Sequence, residues 1–128
     1  MGVSATIDQK MIGLLMKLDE LIKEIHSHLN DVDDLSQLSD WNLSLSSEFA
    51  VMAEQLALVK RDRAMTEIQI KQDLISKEGK YTEKEIERQY FSTESGKFYV
   101  YATEMLKAVG RLISAVRFKI KMLDNPLN

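Results

Sequence analysis

Gly79, with Thr82 and Glu85 close behind it, constrains the architecture of this chain more than any other feature. Glycine is the natural residue to close a helix in the left-handed conformation. Thr82 followed three residues later by Glu85 is a capping box that opens another helix. The chain must therefore stop one helix and restart a second within about three residues. Elsewhere the backbone carries little punctuation, with one proline and five glycines in 128 residues, so long regular elements follow. The pattern predicts a helix over 40–78 and another over 83–123, the latter ended by Asn125-Pro126. Joined by so short a turn they run antiparallel, pairing residues whose numbers sum to roughly 161. Val59 then falls near Ala102, Leu45 near Val116 and Ile70 near Phe91.

A shorter helix precedes this hairpin. Thr6 with Gln9 reads as a capping box, and Ile7, Met11, Leu14, Leu18, Leu21 and Ile25 recur at spacings of four and three. Leu15, Ile22 and Leu29 widen that stripe into a core-facing band, giving a helix over 7–29 about 35 Å long. A polar connection over 31–39 leads to the second helix, which begins between Ser36 and Asn42, with Ser44, Ser46 and Ser47 capping or solvating its start. Its stripe is Leu45, Phe49, Met52, Leu56 and Val59, and from Lys60 it thins to Met65, Ile68, Ile70, Leu74 and Ile75 among charges. The third helix is lined by Phe98, Tyr101, Met105, Ala108, Leu112 and Ala115, flanked by Ala102, Val109, Val116 and Ile120. Ser92 to Gly96, small and polar, is where it would kink or break. Folding back across its loop, the first helix reaches only to about residue 62 of the second. The expected fold is all-α and single-domain over 1–128: a three-helix base and a coiled-coil-like arm over 60–97, the free end of the hairpin.

Composition bounds the chemistry. Hydrophobic residues at 45% suit a packed core. The absence of cysteine removes disulfides, thiolate metal sites and a cysteine nucleophile together, and it fits a cytoplasmic protein. No apolar run nears the ~18–20 residues that span a bilayer, and the N-terminus lacks the zones of a secretory leader, so no membrane role is expected. Met1-Gly2 with Thr6 matches a myristoylation pattern in form only, without a polybasic companion. The net charge of −3 hides a split. Residues 1–59 carry −7, residues 60–96 are neutral, and residues 97–128 carry +4. The acidic and basic segments either complement each other along the bundle or await outside partners.

Catalytic patterns are missing. His26 and His28, two apart on a helix, point away from each other, and Glu24 with His28 supplies two metal ligands where three or four are needed. Asp31, Asp33 and Asp34 resemble the start of a calcium loop, but Ser36 and Asn42 stand where glycine and glutamate belong. No phosphate-binding glycine loop, dinucleotide fingerprint or nucleophile elbow occurs. Glu54 reads as the polar edge of its stripe. No cofactor or metal is expected. Five of the nine aromatic residues, Tyr90, Phe91, Phe98, Tyr99 and Tyr101, fall within twelve positions. They are core and junction packing, a docking patch for a protein partner or second copy, or a platform for stacking bases with Lys97 and Arg88.

Arg61-Asp62-Arg63-Ala64, the turn from Ser76 to Thr82 and the run from Arg111 to Leu123 together resemble small, helical, phage-encoded accessory proteins of unassigned function. The resemblance covers 60–123 and transfers no catalytic residue. It implies an accessory role in phage recombination or replication. The expectation is a non-catalytic, self-associating protein-interaction factor, a homo-oligomer whose arm or whose Tyr90, Phe91, Tyr99 and Tyr101 patch meets a partner. The alternative is nucleic-acid binding through Lys107, Arg111, Arg117, Lys119 and Lys121, against which the acidic overall balance stands.

Overall fold

Periodicity and caps translate into four helices: α1 (Gln9–His28), α2 (Leu35–Glu78), α3 (Glu83–Ser92) and α4 (Glu94–Asp124). The computed structural model describes residues 9–124. Among those residues there is no strand, and the fold is all-α. The Thr6 box, Ile7, the Asn125-Pro126 stop and the Met1-Gly2 pattern lie outside the described residues.

The turn at Gly79 forms as its chemistry demands. Gly79 takes the left-handed conformation at φ 73° and ψ 2°, and its N–H donates to the Ile75 carbonyl at 2.9 Å. The Thr82 hydroxyl accepts from the Glu85 N–H at 3.1 Å. The Glu85 carboxylate does not complete a reciprocal box. It accepts instead from Arg88 and from the Gln89 amide.

One boundary differs from expectation. α2 begins at Leu35, not near 40, because Asp34 is its N-cap and accepts from the Ser36 N–H at 2.9 Å. That extra turn buries Leu38 and Trp41, which continue the Leu45 stripe toward the N-terminus. Ser44, Ser46 and Ser47 consequently sit inside the helix and cap nothing. The element read over 83–123 is two helices, broken at the weak spot that Ser92 to Gly96 marked: α3 and α4 part at Thr93, which lies at φ −74° and ψ 160°.

Burial falls into two clusters. The larger joins Leu18 and Ile25 of α1, Leu38 to Val59 of α2 and Phe98 to Val116 of α4. The smaller holds Ile70 and Leu74 of α2 with Ile86 and Tyr90 of α3, and Phe91 packs on it. α1 packs against α2 and α4 and makes no contact with α3. The reason is length: α1 has 20 residues, about 30 Å, beside the 44 residues and about 66 Å of α2. Lys17 of α1 pairs with Glu48 of α2 at 3.2 Å, and Lys119 of α4 donates to the Leu29 carbonyl at the other end of α1. Arg117 donates to Asn42 at 3.0 Å, within a turn of the register set by the short connection.

Candidate functional site

The break between α3 and α4 is built around one side chain. The Thr93 N–H and hydroxyl both donate to the Tyr90 carbonyl, at 3.0 and 2.6 Å, closing α3. The same hydroxyl accepts from the Gly96 N–H at 3.0 Å, and the Thr93 carbonyl accepts from the Lys97 N–H, opening α4. This double cap draws the α4 backbone onto α3 so closely that a Cβ on Gly96 would sit 2.1 Å from the Tyr90 carbonyl oxygen and 2.7 Å from the Phe91 Cα. Gly96 is required here by lack of room.

The joint presents its aromatic rings to α2. Tyr90 and Phe91 meet edge to face with centroids 5.4 Å apart, and Tyr99 stands 6.5 and 6.3 Å from them. Arg63 of α2 enters this group, its guanidinium carbon 4.9, 5.0 and 5.2 Å from the Tyr90, Phe91 and Tyr99 centroids. Its Nε donates to Glu67 at 2.6 Å. Burial opposes the charge on Arg63, but the hydrogen bond and attraction of Glu67, with Tyr99 and Tyr90 adding to them, raise its pKa. The arm thus joins the base through a guanidinium held among three rings.

Of the readings open to the aromatic group, this geometry matches core and junction packing for three of the four patch residues. Tyr90 is fully buried, and Phe91 and Tyr99 are half-buried around Arg63, so these three form an internal joint. Tyr101 stays apart from them and is 51% exposed. Arg63 and Thr66, which lie outside the thinned stripe read from the sequence, face inward on the line of Val59, Ile70 and Leu74. Met65, Ile68 and Ile75 face outward instead. The signal was present in the phase: continuing the Met52, Leu56 and Val59 stripe by fours and threes reaches 63, 66, 70 and 74.

Direct contact between the acidic and basic segments is sparse. Among the described residues a single ion pair, Lys119 with Asp33 at 3.8 Å, ties the acidic first segment to the basic last helix. Lys107 pairs with Glu104 on its own helix, Arg117 bonds the neutral Asn42, and Arg111 and Lys121 form no ion pair with the described residues. Phe118, 65% exposed, stands among these cations.

Two shallow grooves flank α1. One, about 490 Å³, lies against α2 and includes Lys17, Glu20, Glu24 and Leu43, and the other, about 370 Å³, lies against α4 and includes Ile22, His26, Ala108 and Arg111. Among the described residues no group of three or more His, Cys, Asp or Glu is placed to hold a metal. No helix among them is long and apolar enough to cross a membrane. Compared with models of protein families, with curated proteins and with solved structures, the chain matches none.

Proposed function

We propose that the protein is a non-catalytic interaction factor that self-associates through its base and offers its arm to a protein partner. The observation that carries this reading is the outward stripe of Met65, Ile68 and Ile75, which are 65, 55 and 46% exposed. With Gln72 they fall at spacings of three, four and three on the part of α2 that α1 does not reach. An apolar stripe at coiled-coil spacing, held in water on a rigid hairpin, is suited to receive another helix. The Arg63 joint supports the reading, since it sets the direction in which the arm is presented. Affinity capture with the wild type and with Met65→Lys/Ile68→Lys tests it. A partner held by the first and lost from the second, with unchanged helicity, is expected. A capture profile identical for both would end the proposal.

A second reading has its own observation. Lys107, Arg111, Arg117 and Lys121 are exposed on α4 around Phe118, with one local acidic partner, Glu104, among them. Such a face suits a phosphate backbone with a base stacked on the ring. It would make the protein an accessory factor of nucleic-acid metabolism, as the phage resemblance implies. A mobility-shift assay at low salt decides it, and unretarded single- and double-stranded probes would discard it.

A further inference from the structure

The α2–α4 layer of the base has two broad faces, and α1 covers one of them. On α4 the groove against α1 runs along Ala108, Leu112 and Ala115. Helical spacing therefore sets Leu106, Ile113 and Ile120, seven apart, on the edge away from α1, where each is half-buried. Thr103 and Gly110 lie on the same edge, Gly110 between Leu106 and Ile113. On α2 the edge away from Glu48, the partner of Lys17, carries Ser46, Phe49, Ala53 and Ala57, with Ala50 beside them. The Arg117–Asn42 hydrogen bond closes one end of this face and Lys60 stands at the other. Between these ends none of the face residues is charged, in a chain that is 29% charged. Depletion of charge, more than hydrophobicity as such, marks the core of an interface.

Gly110 adds an independent observation. A glycine inside a helix is less favourable than alanine by about 1 kcal/mol. At Gly96 the fold leaves no room for anything larger, but a Cβ on Gly110 would meet nothing within 4 Å. Gly13 is as open, but Gly110 alone of the two lies on the uncharged face beside Leu106 and Ile113, where its bare backbone leaves room for a closely packed neighbour.

We infer that this face is the interface of a two-fold homodimer, in which the α2–α4 layers of two copies stack into a four-helix core with the α1 helices outside. The inference rests on the self-association reading above and names its surface. A two-fold axis along the helices lays each α4 antiparallel on the other copy's α2, in the register the hairpin already uses. Large side chains then meet small ones. Leu106 of one copy faces the Ala50, Ala53 and Ala57 edge of the other, Ile113 faces the Ser46 and Ala50 edge, and Phe49 faces the gap at Gly110. An isologous contact requires this kind of self-complementarity. The face runs about 27 Å from Asn42 to Lys60 and is about 20 Å across two packed helices. That is roughly 540 Å² in projection before side-chain relief, the scale of the ~800 Å² that each partner buries in a standard interface.

Sedimentation velocity over a concentration series tests the inference, using the full chain, Gly110→Ala, Ile113→Lys and the arm variant Met65→Lys/Ile68→Lys. The full chain and the arm variant should dimerise alike. Gly110→Ala should raise the dimer Kd at least tenfold with full helicity, because alanine favours the helix and only the interface loses. Ile113→Lys should be monomeric, and if it fails to fold, Gly110→Ala alone still decides. Dimers of unchanged Kd in both base variants would overturn the inference and leave self-association standing. Dissociation by the arm variant alone would also overturn it. A full chain that stays monomeric at hundreds of micromolar would remove the inference and the self-association reading together.

Discussion

Replacing Gly96 by alanine tests whether the double cap at Thr93 sets the geometry of the joint. The added methyl would lie 2.1 Å from the Tyr90 oxygen and 2.8 Å from the Tyr90 carbonyl carbon, both backbone atoms of α3. An ordinary carbon–oxygen contact needs over 3 Å, so the two helices must part by about 1 Å, and no side-chain rotation relieves them. Parting them lengthens the Thr93 bonds and shifts the rings from Arg63. Overpacking of this kind costs about 1–3 kcal/mol, offset by about 1 kcal/mol of alanine helix propensity. A net loss of up to about 2 kcal/mol is expected, read as a lower urea midpoint at unchanged slope. Gly13→Ala is the control, since its Cβ would meet nothing within 4 Å, and it should gain up to about 1 kcal/mol. If Gly96→Ala stabilises the protein as Gly13→Ala does, α3 and α4 do not meet backbone to backbone at Gly96.

Gly79→Ala forces an L-residue to φ 73° and should cost about 1 kcal/mol, measured by thermal or urea unfolding, and an unchanged midpoint would contradict the left-handed cap. Arg63→Lys keeps the charge but loses the planar face among the rings, so it should cost about 1–2 kcal/mol, whereas equal stability would show the cage to be idle. Arg88, then Gln89, hold the Glu85 carboxyl at about 2, down from 4.5. A lowered folded-state pKa adds stability that is complete above the unfolded value and lost as pH falls through the folded one. Arm helicity should therefore hold from pH 7 to about 5 and decline between about 4.5 and 2, and superimposed acid titrations of the wild type and Glu85→Gln would refute the link. Hydrogen exchange should be faster around Ile70, Leu74 and Ile86 than around Leu45, Met52 and Val109, because the arm cluster is small, and the reverse order would contradict the two-cluster core.

Local signals were legible where they lie within a few residues of each other. Gly79 and Thr82 act through backbone groups three or four positions away, so their roles follow from residue type alone. The α2 start was legible too, in Asp34 and in Leu38 and Trp41, but the acidic run around Asp34 reads equally as loop until the cap is formed. Ser92 to Gly96 announced a weakness without its form. A break pinned by Thr93 requires the Tyr90 carbonyl and the Gly96 N–H to converge, and that convergence is a property of two packed helices. At the candidate site the aromatic clustering was visible, yet its purpose turned on Arg63, a long side chain that buries its stem and charge only because rings arrive from α3 and α4.

The amino-acid order by itself determined that this chain is helical, where the hairpin turns, and that its first helix is too short to accompany the second to its end. These follow from periodicity, capping and a fixed rise per residue, all local quantities. The tertiary structure alone decided which aromatic rings are buried and which cations keep no partner among the described residues. Those outcomes depend on where distant helices meet, because a side chain's neighbours across an interface are set by the packing of both surfaces.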